Sequence, residues 1–583
     1  MGEGQEGYAK EAMKNAFLVG GWVILYNCHL GIEFMAQMEM LLGRDVEIDP
    51  DFRLWLTCEP RALFPIGLLQ MAIKVTNEPP KGLKAGLART FTTIIDNDFL
   101  EKHDMDKWRK VSYAICFLHS TVIERRKFGP LGWCIPYEFN NSDLEASLTF
   151  LDRHIYQAET LNQQPNWDII RFMVCDVQYG GRITDEKDFE LIQAFGAEWI
   201  DEKILGSAFA FNNESEYKVI DSTEAQRYRD YINSLPSFEK PTLFFLNQNA
   251  DITFRRREGN ELLMTIQMTQ PKESDTGTGK SRDDIINDYV IDFLSKLPPD
   301  YTEVDVRDII NKLAGPKGLD KGFKVPLNIF LFQEIMRLQN IIGIVRKTLI
   351  DLREVREGNI ILTPELQDAA DSIYDSRVPY QWLYDANGTE ISWLDTQMGT
   401  WLSGLQDRNA QLSGWLKERP PVYNLGFFFN PQGFLTATKQ EVTRQNQINP
   451  PGGNTGEVWS LDDVEEQTIV RDRNDKAGQN DRGVIIRGLY LEGAKYAVKE
   501  GGRLDELTGK DTFVDMPNIF VGAKMRDKNA KGEYEIGNYL CPVYKYKQRT
   551  DKYFIFNVKL RCESPQQNQW KLRGVALLCQ KPL

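Results

Sequence analysis

The chain is poor in the residues that build metal and nucleophile sites. Only four histidines occur in 583 residues, at 29, 103, 119 and 154, and they lie far apart. The eight cysteines (28, 58, 116, 134, 175, 541, 562 and 579) form no C-x-x-C pair and no short-spaced set. Zinc needs ligands at close, regular spacing, so no metal site is expected and the thiols read as reduced, as in a cytosolic-type compartment. An excess of positive charge is also missing: Lys+Arg 70 against Asp+Glu 84 leaves −14. That balance argues against a surface built for nucleic acid or anionic lipid. Uninterrupted apolar runs of membrane length are absent too. Ala16–Leu25 is short, follows acidic residues and precedes no small-residue cleavage site, so it is not a signal peptide. Ile329–Ile350 is long enough to span a bilayer, but Glu334, Arg337, Arg346 and Lys347 interrupt it. It reads as an amphipathic helix whose stripe (Phe332, Ile335, Met336, Ile342, Val345, Leu349) faces a bundle.

What is present is ample core material, 42% hydrophobic and 11% aromatic, in a length that suggests three or four domains. Two apolar strands open the chain, Trp22–Tyr26 and Phe52–Leu56, with a helix over Ile32–Leu42 between them and another over Tyr8–Leu18. Strand, helix, strand is the order of a crossover unit with a parallel sheet. Two lone parallel strands cannot bury enough surface to stand independently. The missing strands are expected upstream or in a partner, with Met1 an internal position of a larger chain or the start of a truncated gene model. Helical patterns follow at Trp108–Arg125, Ser142–Ile155, Trp167–Val177, Glu186–Ala197 and Glu224–Ser234. After the polar break Ser274–Ser281 they resume at Arg282–Leu297, Val304–Leu313, Asn328–Glu357, Pro364–Tyr374, Ser392–Glu418 and Gly433–Gln447. Strand-like runs close the sequence: Val484–Leu491, Asn518–Val521, Val543–Tyr546, Tyr553–Leu560 and Gly574–Leu578. Their spacing predicts a small barrel or sandwich.

Few residues invite a chemical reading. Gly277-Thr278-Gly279-Lys280-Ser281 imitates a phosphate loop, but the first glycine of G-x-x-x-x-G-K-[ST] would stand at 274, where Ser274 sits. No buried strand delivers it, since Met268–Glu273 is polar and contains Pro271. A solvated linker with Ser281 as helix N-cap is the stronger reading. At the end of the first strand, P-loop ATPases hold magnesium with a carboxylate. Asn27 occupies that place, and a neutral amide does not replace the carboxylate at a divalent cation. Thr57 closes the second strand where such ATPases carry a polar γ-phosphate sensor. Cys28 and His29 are adjacent and so point apart, a poor nucleophile pair. Glu124-Arg125-Arg126-Lys127 ends a helix, where a docked helix end explains the charge as well as a phosphate site does. Trp382, Trp393, Trp401 and Trp415 fall in helical regions and read as core anchors, not a sugar platform.

Several blocks, in order along nearly the whole length, resemble the C-terminal end of a dynein heavy chain. They are WVILYNCHL (22–30), FRLWLTCEP (52–60), TNEPPKGL (76–83), ERRKFGPLGWCIPYEFN (124–140) and YGGRIT (179–184). Further on come FFFNPQGFLTATKQ (427–440), GLYLEGA (488–494), CPVYK (541–545) and RGVALL (573–578). The resemblance implies a multi-domain α/β, α and β chain. Residues 1–106 would be the C-terminal part of the large α/β subdomain of the sixth AAA module, and 107–240 its helical small subdomain, or lid. Residues 241–425 would be the helical part of the dynein C-terminal domain and 426–583 its β-barrel. ERRKFGPLGW and the FFFNPQGFLTATKQ block look more axonemal than cytoplasmic, which implies a ciliary arm dynein and, more loosely, an outer arm.

In that family the last AAA module is a structural member. The implied function is a non-catalytic ring segment and brace within an ATP-driven, minus-end-directed motor, with Asn27 and Thr57 as degenerate remnants of a nucleotide site. No catalytic, cofactor or metal residue is expected here, and ATP with Mg belongs to upstream modules. The implied partners are neighbouring AAA modules and the linker of the same chain, and other heavy, intermediate and light chains. Microtubules would be met only through the upstream stalk, and neither nucleic acid nor membrane would be bound. The implied location is the axoneme, with the cytoplasm before assembly. Two alternatives stay open: a docking module for other arm components, and a phosphotransfer enzyme using Gly277–Ser281.

Overall fold

Val23 and Leu25 are buried while Trp22 and Ile24 are exposed, the period-two alternation of a strand with one covered face. The computed structural model describes residues 4–582 apart from 43–47, 60–63, 76–79, 104–105, 213–215, 270–280, 317–318, 396, 449–458, 472–481, 499–500, 527–536 and 564–566. The chain packs as two units, Met1–Pro80 and Lys81–Leu583. The first runs α1 (Glu6–Val19), β1 (Trp22–Leu25), α2 (Ile32–Leu42), β2 (Arg53–Leu56) and α3 (Ile66–Met71). β1 and β2 pair in parallel with Trp22 opposite Arg53, so the crossover reading holds. Met13, Phe17, Val23, Leu25, Phe34 and Met38 fill its core. The other face leaves Trp22, Ile24, Tyr26 and Trp55 exposed, with the two tryptophan rings 6.0 Å apart.

The second unit starts with α4 (Leu83–Thr93), α5 (Asn97–Leu100), α6 (Asp106–Arg125), α7 (Asn141–Thr160), α8 (Trp167–Arg171), α9 (Glu186–Trp199) and α10 (Ala225–Ser234). They share a core built on Trp108, Phe117, Leu148, Ile192 and Tyr228. α8 continues not as the α-helix expected to Val177 but as a π-helix, Phe172–Tyr179. Its buried residues, Val174, Cys175 and Tyr179, are four and five apart, which suits the wider turn.

Next come α11 (Ala250–Thr269), α12 (Arg282–Lys296), α13 (Glu303–Lys312), α14 (Pro326–Glu357), α15 (Pro364–Tyr374), α16 (Tyr380–Leu383), α17 (Met398–Lys417) and α18 (Pro431–Ile448). α11 is not announced by periodicity, because Leu262, Leu263, Met264 and Ile266 follow closely and all stand exposed. No described helix is long and apolar enough to cross a membrane. α14 instead buries Leu331, Ile335, Leu338, Ile342, Val345 and Leu349 in the bundle, so the seam is slightly rotated from the stripe expected of it: Phe332 and Met336 are only partly covered. α17 begins at Met398, six residues later than expected, because Trp393 leaves the helix line to stack on Trp401 at 4.8 Å.

The strands are β3 (Tyr423–Asn424), β4 (Val464–Val470), β5 (Gly483–Arg487), β6 (Tyr490–Glu492), β7 (Lys495–Ala497), β8 (Arg503–Asp505), β9 (Phe513–Asp515), β10 (Ile519–Met525), β11 (Asn538–Tyr544), β12 (Phe554–Arg561) and β13 (Ala576–Leu578). The short α19 (Gln567–Leu572) precedes the last of them. Among the described residues they form two sheets, ordered β3-β5-β10-β4 and β12-β11-β13-β6-β9, and a β7-β8 ribbon, with no closed ring of the kind expected over 426–583. The single run expected over Val484–Leu491 breaks at Gly488, where φ is +80°. β5 therefore pairs β10 in one sheet while β6 pairs β9 in the other. Helices and strands share one apolar core, in which Trp401, Trp415 and Phe434 belong to the same cluster as Ile486, Val543 and Leu577. Trp382, Trp401 and Trp415 are fully buried, the anchoring role expected of them. Trp401→Ala should lower the stability of this region by about 3–5 kcal/mol, measured as an earlier denaturant midpoint by near-UV circular dichroism.

Candidate functional site

Asn27 and Thr57, the two residues singled out at the strand ends, do come together, through one backbone-to-hydroxyl hydrogen bond. The Asn27 backbone N–H donates to Thr57 Oγ1 at 3.0 Å, and Cys28 N–H to the Thr57 carbonyl at 2.9 Å. Asn27 adopts left-handed backbone angles (φ 55°, ψ 49°), a conformation that asparagine tolerates and that here turns the chain into the short Cys28–Leu30 helix. His29 Nδ1 accepts from Glu59 N–H at 3.2 Å, and the Cys28 thiol donates to the Leu25 carbonyl at 3.3 Å. Thr57, Cys28 and His29 thus make local structural contacts at the strand ends. Residues 277–280 lie outside the described residues. Ser281 caps α12: its hydroxyl accepts from Asp284 N–H at 3.2 Å and lies 2.8 Å from the Asp284 carboxylate.

Among the described residues, one acidic group of metal-ligand type exists. Cys134, Asp185 and Asp188 have ligand atoms within 4.8 Å of one another. Both carboxylates accept backbone hydrogen bonds: Asp188 accepts from Cys134 and Ile135 N–H at 2.9 and 3.1 Å, and Asp185 caps α9 through Lys187 and Asp188 N–H. Burial pushes the Asp188 carboxyl up to about 6. The cluster is a loop clamp.

The charged run at the end of α6 proves to be the most informative site. Arg125 has no exposed surface. Its Nε donates to the Gly132 carbonyl at 2.8 Å, Nη1 to Phe244 O and Nη2 to Leu572 O at 2.8 Å, the last partner 447 positions away. Burial drags its pKa down to about 9. A planar guanidinium with five donors suits three carbonyls converging from three directions. The neighbouring charges work locally: Glu124 accepts from Gly82 N–H at 2.8 Å, and Lys127 pairs with Glu239 at 2.9 Å.

Around Arg125 runs a seam of arginines. Arg573 reaches the Phe245 carbonyl and Glu506 (Nε to Oε1 3.0 Å), and Asn247 also donates to Glu506. Arg549 donates to Gly574 O and to Glu492, both at 2.6 Å, and Lys571 pairs with Glu190 at 3.0 Å. Leu572 itself lies in the core cluster of the α4–α10 region. A parallel clamp holds the helical and strand parts together: Glu334 of α14 accepts from Phe429 and Asn430 N–H (2.6 and 3.1 Å), and Lys545 donates to the Phe429 carbonyl at 2.7 Å. The long helix α14 and the aromatic loop Phe427–Phe429 therefore meet through one buried carboxylate. Burial raises Glu334 and lowers Lys545 to about 8. Glu334 hides in sequence as an interruption of an apolar helix.

A family model described as the dynein heavy chain AAA lid domain matches residues 108–250, and one for the C-terminal domain of the dynein heavy chain matches 256–579. A third, the dynein heavy chain region D6 P-loop domain, matches 1–76. The chain belongs to the dynein heavy chain family. Among its relatives, dynein axonemal heavy chain 8 of Homo sapiens is 41% identical over 99% of this chain and 12% of its own length. Dynein axonemal heavy chain 5 of Mus musculus is 39% identical, and the dynein gamma chain of the flagellar outer arm of Chlamydomonas reinhardtii 37%, with the same shares covered. The chain thus spans about an eighth of the length of these relatives. The Arg125 seam joins the lid-type region to the C-terminal-domain region.

Arg125→Met, which strands three carbonyls, should destabilise the second unit by roughly 3 kcal/mol or more, and Arg125→Lys should recover little because an ammonium cannot span them. Denaturant titration checks both. Asp188, whose folded pKa is raised, contributes stability that is full below its unfolded value near 4 and is lost as pH rises through about 6. Asp188→Asn should flatten that leg of the stability–pH curve relative to the parent chain, a difference on the order of 2–3 kcal/mol.

Proposed function

We propose that this chain is a non-catalytic segment of the motor ring of an axonemal dynein heavy chain, and that its C-terminal domain braces that ring during ATP-driven, minus-end-directed movement in cilia. The observation that carries the reading is the Arg125 seam, which fastens the lid region to the C-terminal domain through buried directional bonds. Rigid bodies fastened in this way transmit rotation without dissipating it in local bending. The axonemal names and the outer-arm name among the relatives support the ciliary setting and, more loosely, the arm.

The exposed aromatic face of the first unit supports a larger α/β module completed by other parts of the heavy chain. The partners on this reading are neighbouring AAA modules and the linker of the same chain, and the other heavy, intermediate and light chains of the arm. Microtubules are met through the stalk, and ATP with Mg belongs to other modules. The location is the axoneme, after assembly in the cytoplasm. The two C-terminal sheets act as one barrel-like body, a view supported by the crossings at 488–489 and 516–518 that join them.

Arg125→Met combined with Arg573→Met in the full heavy chain tests the brace. ATPase activity should persist while microtubule gliding velocity or stall force changes, and unaltered motility would overturn the reading. Calorimetry of the 583-residue chain with MgATP should give no binding heat. Binding abolished by Lys280→Ala would instead support a phosphotransfer role.

A further inference from the structure

The chain crosses between the two C-terminal sheets at 488–489 and again at 516–518, and the two crossings lie side by side. Met516 N–H donates to the Leu489 carbonyl at 2.8 Å, and Gly488, at φ +80°, turns the backbone out of β5. A cleft of about 400 Å³ opens beside them, within the size range of small-ligand pockets. Leu489 and Met516, both buried, give it an apolar floor.

Arg487, Tyr490 and Asn518 also line this cleft. Among the described residues, the side chains of all three have neither a hydrogen-bond nor an ion-pair partner. A guanidinium, a hydroxyl and an amide bring donors in different geometries to one place. Arg125 and Glu334, in contrast, are matched by backbone groups. The Tyr490 ring is held edge-on by Phe513 at 5.8 Å. Burial, and then the Asp515 carboxylate, push the Tyr490 pKa up, so its hydroxyl keeps its proton. Asp515 stands opposite Tyr490 in the β6–β9 pair and lines the same cleft. Its negative charge disfavours a doubly charged phosphate, whereas a carboxylate brings one charge and two acceptor oxygens to Arg487. β9 ends its sheet and, among the described strands, pairs with β6 alone. The outer edge of such a strand offers its backbone groups to an extended peptide.

We propose that this cleft docks an extended acidic peptide segment of a partner protein. The segment adds to the β9 edge, places a glutamate or aspartate carboxylate against Arg487, Tyr490 and Asn518, and rests apolar side chains on Leu489 and Met516. This goes beyond the brace reading and is independent of it, because it assigns a ligand to the chain by itself.

The Met516 methyl group, in the floor of the cleft, reports occupancy. Methyl NMR of the 583-residue chain labelled at methionine, with Met516→Leu to assign the signal, tests the proposal. The probe is a blocked tripeptide of leucine, glutamate and leucine, added to millimolar concentration. It should move the Met516 signal saturably. The same peptide with glutamine at its centre should bind about tenfold or more weakly, and Arg487→Ala should lose the glutamate peptide by a similar factor. Tyr490→Phe should weaken it about threefold or more. Propionate, the glutamate side chain without a backbone, should bind about tenfold or more weakly than the peptide. A Met516 signal unmoved by the glutamate peptide would overturn the proposal. Equal binding of the glutamine peptide, or full binding to Arg487→Ala, would do the same. Propionate binding as tightly as the peptide would overturn the peptide assignment in favour of a small carboxylic acid.

Discussion

A guanidinium with no exposed surface must take its hydrogen-bond partners from the protein, and Arg125 imposes that demand on the second unit. Its three carbonyl partners come from the loop after α6, from the segment before α11, and from the far end of α19. Hydrogen bonds to a charged donor are stronger than neutral ones, and leaving any of them unmade in a dry site costs the full desolvation of the group. The positions of those three backbone segments are therefore fixed together. Glu334 imposes the mirror-image demand within the C-terminal domain, where a buried carboxylate takes two backbone N–H groups of the aromatic loop. One cation that collects carbonyls and one anion that collects amides set the positions of lid, helical bundle and sheets.

Several buried charges of this chain are spent on holding backbone. Asp188 and Asp185 clamp and cap the loop and helix around Cys134. At the strand ends of the first unit, Asn27 takes a left-handed turn and its N–H is satisfied by Thr57. Asn27 and Thr57, which sequence alone could compare with a nucleotide site, thus make local structural contacts.

Much of the architecture is legible in the sequence because it is written in local periodicity. The strand–helix–strand start, the lid helices and α15 follow their apolar spacing closely. α11 is not legible, since its apolar residues are consecutive and exposed and mark no face. The π-helix is hidden because four- and five-residue spacings look nearly alike over eight residues. The break at Gly488 is invisible as strand patterning, because β5 and β6 both read as strand and only the glycine backbone separates the sheets. The seam is the least legible feature. A cluster of charges at a helix end names no partner, and the carbonyl that completes it stands 447 positions later.

Leu572 and its carbonyl give this geometry a temporal side. A ribosome builds a polypeptide in one direction, at roughly 5–20 residues per second. The lid helices emerge long before the residue that plugs their core and answers Arg125. During that interval, on the order of tens of seconds, the nascent lid carries an open hole and an unanswered cation. Chaperone engagement, and the risk of mispairing between neighbouring nascent polypeptides, should therefore be concentrated in the stretch of translation between the lid and codon 572.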